Sequence, residues 1–363
     1  MGNNLKDISV VIPAYNEEKY ILNSLRSLIN QNLVNTISYE IIVVDNNSED
    51  NTYKIVKNFI DKYKKNNDKI SFELIKEYKK GVAFARQTGF IAANSKIIAT
   101  LDADCIASPL WLRTIFNIFN YDYDYLYNPF FKNLPSKLMD NIKNNINKKI
   151  VAATGMIKFY DADTPELKFI NSLIPLVLNI GNFFYLFPAL HGSNLAVLKE
   201  AFIQVNGFNL ELKTGEDLDL GLKLEKIGRI VYLPAIVYAS SRRFKKNIIK
   251  AILIYTVANF LFHRITGKPL INELDSPRGE KDNIFEKINL DKFNLDKFNL
   301  EKFNLENLNS LIKNTLFKDI NLKDMNSFDN FFNNSSFKNN NNKLKFNIKE
   351  IVEDFFQKLK IKK

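Results

Sequence analysis

Two aspartates separated by one residue, Asp102 and Asp104, follow the apolar segment 96–101. The apolar segment predicts a buried strand, and carboxylates two residues apart in an extended turn can face the same cation. Oxygen ligands suit a hard divalent ion such as Mg²⁺ or Mn²⁺, which shares its coordination with substrate phosphates. Because Asp-x-Asp also arises by chance in solvated turns, the metal-binding interpretation depends on the surrounding elements.

Those elements alternate between strand and helix, which predicts a mainly parallel sheet. The strand segments are 8–12, 40–44, 71–75 and 96–101. Helices are predicted by the apolar spacing of 21–29, from Ser48, and from Gly81 to about Asn94. Right-handed crossovers then bring the carboxyl ends of the strands to one ligand crevice. Residues 13–17, Asp45, Arg86 and 102–104 are expected at that edge.

In order along the chain, these loops resemble the motifs of family 2 glycosyltransferases with the GT-A fold. The matching stretches are PAYNE at 13–17, VVDNNS at 43–48, GVAFAR at 81–86, LDAD at 101–104, HGSNLAV at 191–197, NGF at 206–208 and TGEDLDL at 214–220. The resemblance extends from about Ile8 to Phe244. It implies an α/β, Rossmann-like sheet flanked by helices and an enzyme that uses a nucleotide sugar.

The resemblance also implies a role for each motif. The nucleoside-diphosphate sugar donor would be bound by Pro13, Tyr15, Glu17, Asp45, Arg86 and Asp102. Asp102 and Asp104 would hold Mg²⁺ or Mn²⁺ with the diphosphate, and Asp217 would be the catalytic base. The candidates for contacts with the acceptor or the diphosphate are His191, Asn194, Glu216, Arg242 and Arg243.

These residue types fit an inverting glycosyl transfer. The anomeric C–O bond breaks through an oxocarbenium-like state, and the charge that grows on the leaving diphosphate must be stabilised. A metal supplies that stabilisation, while a carboxylate such as Asp217 removes the proton of the attacking hydroxyl. The structural alternative is that Glu216 and Asp217 form only the acidic first turn of a helix over 218–226.

Other functions stay open beside this one. Processive family members carry a Gln-x-x-Arg-Trp signature, and the matching residues 240–244 read SSRRF, which favours a non-processive enzyme. A polyprenyl phosphate is an alternative acceptor. A related nucleotidyltransferase would need a glycine-rich, lysine-containing loop, which 13–18 lacks. A scaffold that only binds nucleotide sugars is disfavoured by the retained Asp102, Asp104 and Asp217.

Composition is consistent with a cytoplasmic enzyme. The chain has 363 residues, enough for one large domain with additions. The single cysteine, Cys105, excludes an internal disulfide, and neither His191 nor His263 lies in a zinc pattern. Because the first residues contain no apolar run, no signal peptide is expected.

Two apolar segments raise the question of a membrane. Residues 169–190 contain no charged side chain, but a crossing there would separate the metal site from Asp217, so we expect a helix-turn unit beside the acceptor cleft. The shorter segment 251–262 lies within 242–268, which has seven lysines and arginines and no acid. A basic apolar helix predicts peripheral binding to an anionic membrane surface, on the inner face of the cell membrane, and not to nucleic acid.

Beyond residue 270 the composition changes. Four five-residue units at 286–305 are too few for a solenoid, and the asparagine-rich stretch 326–342 predicts disorder. The domain prediction is a catalytic domain at 1–244, the basic apolar helix at 245–270, a low-complexity linker at 271–343 and an amphipathic helix at 344–363.

Overall fold

The computed structural model describes residues 6–33, 37–63, 70–121, 148–163, 167–168, 171 and 190–244. The chain divides into two units at residue 302, and every described residue belongs to the first unit. The predicted elements after residue 244, and nearly all of the apolar segment 169–190, lie outside the described residues. Within the described ranges, none of the helices has the length and apolar character needed to cross a bilayer.

One mixed sheet is formed by eight strands of the described chain. They are β1 (Ile8–Ala14), β2 (Tyr39–Asp45), β3 (Ile70–Lys76), β4 (Ile97–Thr100), β5 (Ile106–Ala107), β6 (Ile150–Phe159), β7 (Leu195–Leu198) and β8 (Arg229–Ala239). Their order across the sheet is β3-β2-β1-β4-β7-β6-β8-β5.

The first half of this sheet is the parallel sheet that the sequence predicts. Strands β3, β2, β1 and β4 are all parallel neighbours, and their predicted starts are correct to within one residue. The second half is mixed, because β7 runs antiparallel to both β4 and β6, and β5 runs antiparallel to β8. Strands β6 and β8 are parallel to each other.

Helices cover both faces of the sheet. They are α1 (Ile21–Ile29), α2 (Thr52–Tyr63), α3 (Val82–Ala92), α4 (Trp111–Asn120), α5 (Lys199–Gln204) and α6 (Glu216–Glu225), with a 3₁₀ helix at Ser241–Phe244. Helix α2 begins at Thr52, four residues after the predicted start at Ser48. The reason is that the Ser48 hydroxyl accepts the backbone N–H of Asn16 and so joins two loops instead of capping a helix.

The core is divided between the two faces by the alternation of side chains along each strand. On β1, Val10 and Ile12 pack into a cluster with α1, α2 and α4, whereas Val11 packs into a second cluster with α3, α5 and α6. Because a strand directs successive side chains to opposite faces, a strand covered on both sides reads as the continuous apolar run seen in the sequence.

Helix α3 approaches the sheet closely at Gly89. A Cβ atom at this position would overlap Cγ1 of Val11 and lie 3.0 Å from Cγ2 of Val44. The missing side chain therefore sets the distance between α3 and strands β1 and β2, and α3 carries Arg86 to the edge of the sheet.

We expect Gly89→Ala to destabilise the protein. The overlap with Val11 forces α3 off the sheet at a cost of about 1–3 kcal/mol, which exceeds the gain of up to about 1 kcal/mol in helix propensity. Urea unfolding followed by the fluorescence of Trp111, the single tryptophan, measures the change. The control is Ile91→Ala on the exposed face of the same helix, for which we expect a change within about 0.5 kcal/mol. Equal effects of the two substitutions would contradict the close-packing argument.

Candidate active site

Two loops at the carboxyl edge of the sheet are joined by reciprocal hydrogen bonds. The loop after β1 donates the backbone N–H groups of Glu17 and Glu18 to the side chains of Thr52 (2.7 Å) and Asp50 (3.1 Å). In return, the N–H of Glu49 donates to the side-chain oxygen of Asn16 at 2.8 Å. These bonds hold the loop after β1 and the loop after β2 against each other without any ligand. The two loops together form one wall at this edge of the sheet.

Asp45, at the end of β2, presents a buried carboxylate to this wall. Its Oδ1 atom has no hydrogen-bond partner within the described part of the chain. The next residue, Asn46, holds the following loop by accepting the N–H of Gly81 at 2.8 Å and donating to the carbonyl of Lys79 at 2.7 Å. A buried acceptor that the protein leaves unsatisfied is suited to an N–H or O–H group of a ligand.

Tyr15 supplies the apolar part of the same wall, whereas Pro13 lies within strand β1. The hydroxyl of Tyr15 accepts a hydrogen bond from Nζ of Lys80 at 3.2 Å, and the ammonium group lies 5.1 Å from the centre of the tyrosine ring. Lys80 also pairs with Glu49 at 2.9 Å. Pro13 is buried within β1 opposite Val44 and has no polar side-chain group.

Asp102 and Asp104 converge as the Asp-x-Asp spacing predicts. One ligand atom from each carboxylate and Sγ of Cys105 lie within 4.8 Å of one another. Each carboxylate also holds a guanidinium group: Oδ1 of Asp102 is 2.7 Å from Arg86, and Oδ2 of Asp104 is 2.8 Å from Arg242.

Arg86 is buried at the centre of the site. Its guanidinium pairs with Asp102 on one side and with Glu216 on the other. Burial alone would lower the pKa of Arg86, but the surrounding carboxylates raise it above its ordinary value. Gly192 lies against the guanidinium so closely that an added Cβ would overlap it.

Asp217 occupies the first turn of α6, so it lies at the positive end of a helix as the structural alternative expects. One carboxylate oxygen accepts the backbone N–H of Gly192 at 2.7 Å, and the other accepts that of Leu218 at 2.9 Å. These two bonds orient the carboxylate, and the contact with Gly192 links α6 to the turn that begins at His191.

The pKa values of two neighbours of Asp217, Glu216 and His191, are shifted in the directions that favour their neutral forms. Burial raises the pKa of Glu216 to about 7, and the charge of Arg86 only partly opposes the shift. Burial likewise lowers the pKa of His191, against the opposing charge of Asp217. The neutral form of His191 is therefore favoured beside the Asp217 carboxylate.

Asn194 has a structural environment. Its amide nitrogen donates to the carbonyls of Met156 (2.9 Å) and Ala235 (3.0 Å), and its side-chain oxygen accepts from the indole of Trp111 (2.8 Å). Because these bonds use both amide N–H groups and the oxygen, we expect Asn194 to join β6, β8 and α4 and not to bind an acceptor.

Arg242 is brought to the site from the far end of the described chain. Its guanidinium pairs with Glu17 at 2.5 Å and with Asp104 at 2.8 Å, and it stacks 4.5 Å from the ring centre of Tyr20. The side chain of Arg243 lies outside the described atoms. Sequence reasoning did not identify Lys80, Tyr20 or Trp111, because none belongs to a recognisable motif.

Comparison with known proteins finds relatives for part of this chain. The family model described as Glycosyl transferase family 2 matches residues 9–202. Glycosyltransferase AglE of Haloferax volcanii is 36% identical over 113 residues, which is 31% of this chain and 35% of that protein. The Escherichia coli protein UDP-Glc:alpha-D-GlcNAc-diphosphoundecaprenol beta-1,3-glucosyltransferase WfgD is 37% identical over 99 residues, 27% of this chain and 35% of that protein. The matched region thus spans about a third of each relative.

The fold has a counterpart among solved structures. Mannosyltransferase PcManGT from Pyrobaculum calidifontis, solved in complex with GDP-Man and Mn²⁺, superposes with a TM-score of 0.50 at 18% sequence identity. The alignment covers 76% of this chain and 67% of that one. Together with the family match, this likeness confirms the GT-A fold class expected from the sequence.

Proposed function

This chain belongs to glycosyl transferase family 2, and from that membership we propose that it transfers a sugar from a nucleoside-diphosphate sugar to a hydroxyl acceptor, non-processively and with inversion. The observation that carries the proposal is the meeting of three parts at one edge of the sheet. The first is the Asp45 carboxylate, whose Oδ1 atom has no hydrogen-bond partner in the described part of the chain. The others are the converging pair Asp102 and Asp104, and the oriented carboxylate of Asp217.

The donor nucleoside is assigned to the wall formed by the loops after β1 and β2. Oδ1 of Asp45 can accept an N–H of the base or a ribose hydroxyl, and the ring of Tyr15 offers an apolar surface for stacking. Because the two loops hold each other by hydrogen bonds from backbone N–H groups to side-chain oxygens, little ordering entropy is lost when the nucleoside enters.

The diphosphate is assigned to Asp102 and Asp104 together with a divalent cation. The carboxylates fit a hard ion such as Mg²⁺ or Mn²⁺, whereas the thiol of Cys105 does not. When bound, the ion supplies charge stabilisation to the leaving diphosphate.

Asp217 is proposed as the general base. The Gly192 N–H and the Leu218 N–H hold its carboxylate in one orientation, from which it can accept the proton of an acceptor hydroxyl. Arg86 joins the Asp102 loop to Glu216, and Glu216 precedes the base, so the guanidinium sets the distance between the donor side and the acceptor side. Attack from the side opposite the diphosphate inverts the anomeric carbon.

A lipid-linked or glycan acceptor is proposed. The name of the Escherichia coli relative states that its acceptor is a sugar on diphosphoundecaprenol, so we extend this acceptor class to the present chain. The basic residues at 245–268 support the proposal, because they would keep the protein at an anionic membrane surface where such acceptors lie. A screen of nucleotide sugars with Mn²⁺, read as release of nucleoside diphosphate, tests the donor class.

The metal assignment predicts that Asp102→Asn and Asp104→Asn each weaken Mn²⁺-dependent binding of UDP or GDP by roughly 10- to 100-fold. The reason is that each change removes a charged contact of about 1.5–3 kcal/mol. Calorimetry with and without Mn²⁺ measures the effect, and Asp61→Asn on the exposed face of α2 is the matched control. Nucleotide binding that is independent of Mn²⁺ and equal in the variants would remove the metal from the proposal.

The base assignment predicts that Asp217→Asn retains donor affinity within about twofold and loses roughly two to four decades of kcat. The control is Asp219→Asn, two positions further along α6, whose carboxylate pairs with Lys223 at 2.8 Å. Single-turnover kinetics with saturating donor separates the two effects. Loss of donor affinity with kcat preserved would make Asp217 a binding residue and place the base elsewhere.

The membrane assignment predicts salt-sensitive binding to vesicles that contain anionic lipid. Replacing Lys245, Lys246 and Lys250 by glutamine should weaken binding roughly 100-fold, because each basic residue near the surface contributes about 1 kcal/mol. Co-sedimentation over a salt series measures it. The control carries glutamine at Lys54, Lys57 and Lys62, which are exposed on α2. Equal losses in both triple variants would indicate unspecific attraction of a basic protein.

A further inference from the structure

Arg242 is held in place by the turn that follows strand β6. The carboxylate of Asp161, just after β6, accepts the Ser240 hydroxyl at 2.8 Å and the backbone N–H of Ser241 at 2.6 Å. These two bonds fix the start of the 3₁₀ helix that carries Arg242. The position of the guanidinium is therefore set by the fold of the catalytic domain.

The guanidinium of Arg242 lies between two buried carboxylates. The same nitrogen, Nη2, is 2.5 Å from Oε1 of Glu17 and 2.8 Å from Oδ2 of Asp104. The side chains of Glu17 and Asp104 are 4% and 8% exposed, and that of Arg242 is 20% exposed. Carboxylates removed from water in this way need a compensating charge, and Arg242 supplies it from within the protein.

Tyr20 limits the freedom of this arginine. Its ring centre lies 4.5 Å from Cζ of Arg242, in the geometry of a cation–π contact. The guanidinium therefore has three contacts that favour one position, beside the carboxylate that the Asp-x-Asp motif offers to a metal.

We propose that Arg242 is an internal counter-cation that makes divalent metal binding at Asp104 depend on a nucleoside diphosphate. The proposal rests on the proposed function, in which Asp102 and Asp104 hold the metal. A divalent ion on the Asp104 carboxylate stands close to a positive guanidinium that already uses one oxygen of that carboxylate, so the two cations repel each other and compete.

A nucleoside diphosphate removes this conflict. Its negative oxygens can accept both the metal and the guanidinium, so the two positive charges share a ligand instead of competing for Asp104. By linkage, the nucleotide then raises the affinity for the metal by the same factor as the metal raises the affinity for the nucleotide. Arg242 thus suppresses metal binding without donor and contributes to donor binding once the diphosphate is present.

The test is Mn²⁺ binding to the full chain, followed by the electron paramagnetic resonance signal of free Mn²⁺, with and without UDP or GDP. Without nucleotide, we expect Arg242→Gln to bind Mn²⁺ at least about tenfold more tightly than the natural protein, because the competing charge is gone. With nucleotide, the difference should disappear or reverse. Arg242→Lys keeps the charge and should remain within about threefold of the natural protein.

Controls separate this proposal from simpler explanations. Arg113→Gln removes one positive charge from an exposed position on α4 and should leave Mn²⁺ affinity unchanged. Arg242→Met is a second neutral variant that keeps the apolar stem, and it decides the matter if Arg242→Gln does not fold. Thermal unfolding checks each variant.

Two outcomes separate the role of Arg242 from the metal site on which that role rests. If Arg242→Gln and Arg242→Met bind Mn²⁺ no more tightly than the natural protein without nucleotide, while Asp104→Asn still weakens Mn²⁺ binding, only the role of Arg242 is overturned. If none of these proteins binds Mn²⁺ with or without nucleotide, the metal site of the proposed function fails and the role of Arg242 fails with it.

Discussion

The candidate site depends on the two ion pairs that the buried guanidinium of Arg86 forms. It pairs with Asp102, from the loop after β4, and with Glu216, at the start of α6. Burying carboxylates without a cation is costly, and removing one partner of such a group leaves an uncompensated charge. The Asp-x-Asp loop and the proposed base are therefore held together by the side chain of Arg86. The guanidinium fits beside residue 192 because that residue is a glycine, whose missing Cβ would overlap it.

The mixed half of the sheet makes this arrangement possible. An all-parallel continuation after β4 would direct the chain away through another crossover. Instead, β7 lies antiparallel beside β4, so the turn that precedes β7 arrives at the same edge as the loop after β4. That turn holds His191 and Gly192, and the Gly192 N–H orients Asp217. The direction of β7 thus brings the proposed base to the loops proposed to bind the donor.

The two arginines of the site differ in their burial and in their roles. Arg86 is buried and joins two elements, whereas Arg242 is partly exposed and joins Glu17 to Asp104. The first guanidinium preserves the architecture, and the second lies where a diphosphate and its cation would change the local balance of charge. Asp45 adds a buried acceptor, Oδ1, that has no hydrogen-bond partner among the described residues. A site of this kind has its polar groups in place before the substrate enters, which lowers the cost of binding.

The local pattern of the sequence was sufficient for the elements of the first hundred residues. Apolar runs and helical spacing predicted β1 to β4, α1 and α3 with small errors. The reason is that the burial of a strand or helix determines which of its neighbouring residues are apolar. The start of α2 was misplaced, since residues 48–51 are used by a neighbouring loop that no local pattern reveals.

Motif order also identified Asp102, Asp104 and Asp217 as candidates, but only the tertiary structure decided how they are connected. Arg86 and Glu216 are 130 positions apart, and Glu17 and Arg242 are 225 apart. The same holds for Asn194, which reads as a site residue in its motif and is used by the fold to join β6, β8 and α4. A side chain's type states which bonds it can form, whereas its partners depend on which distant strands become neighbours, and that is determined by the packing of the whole domain.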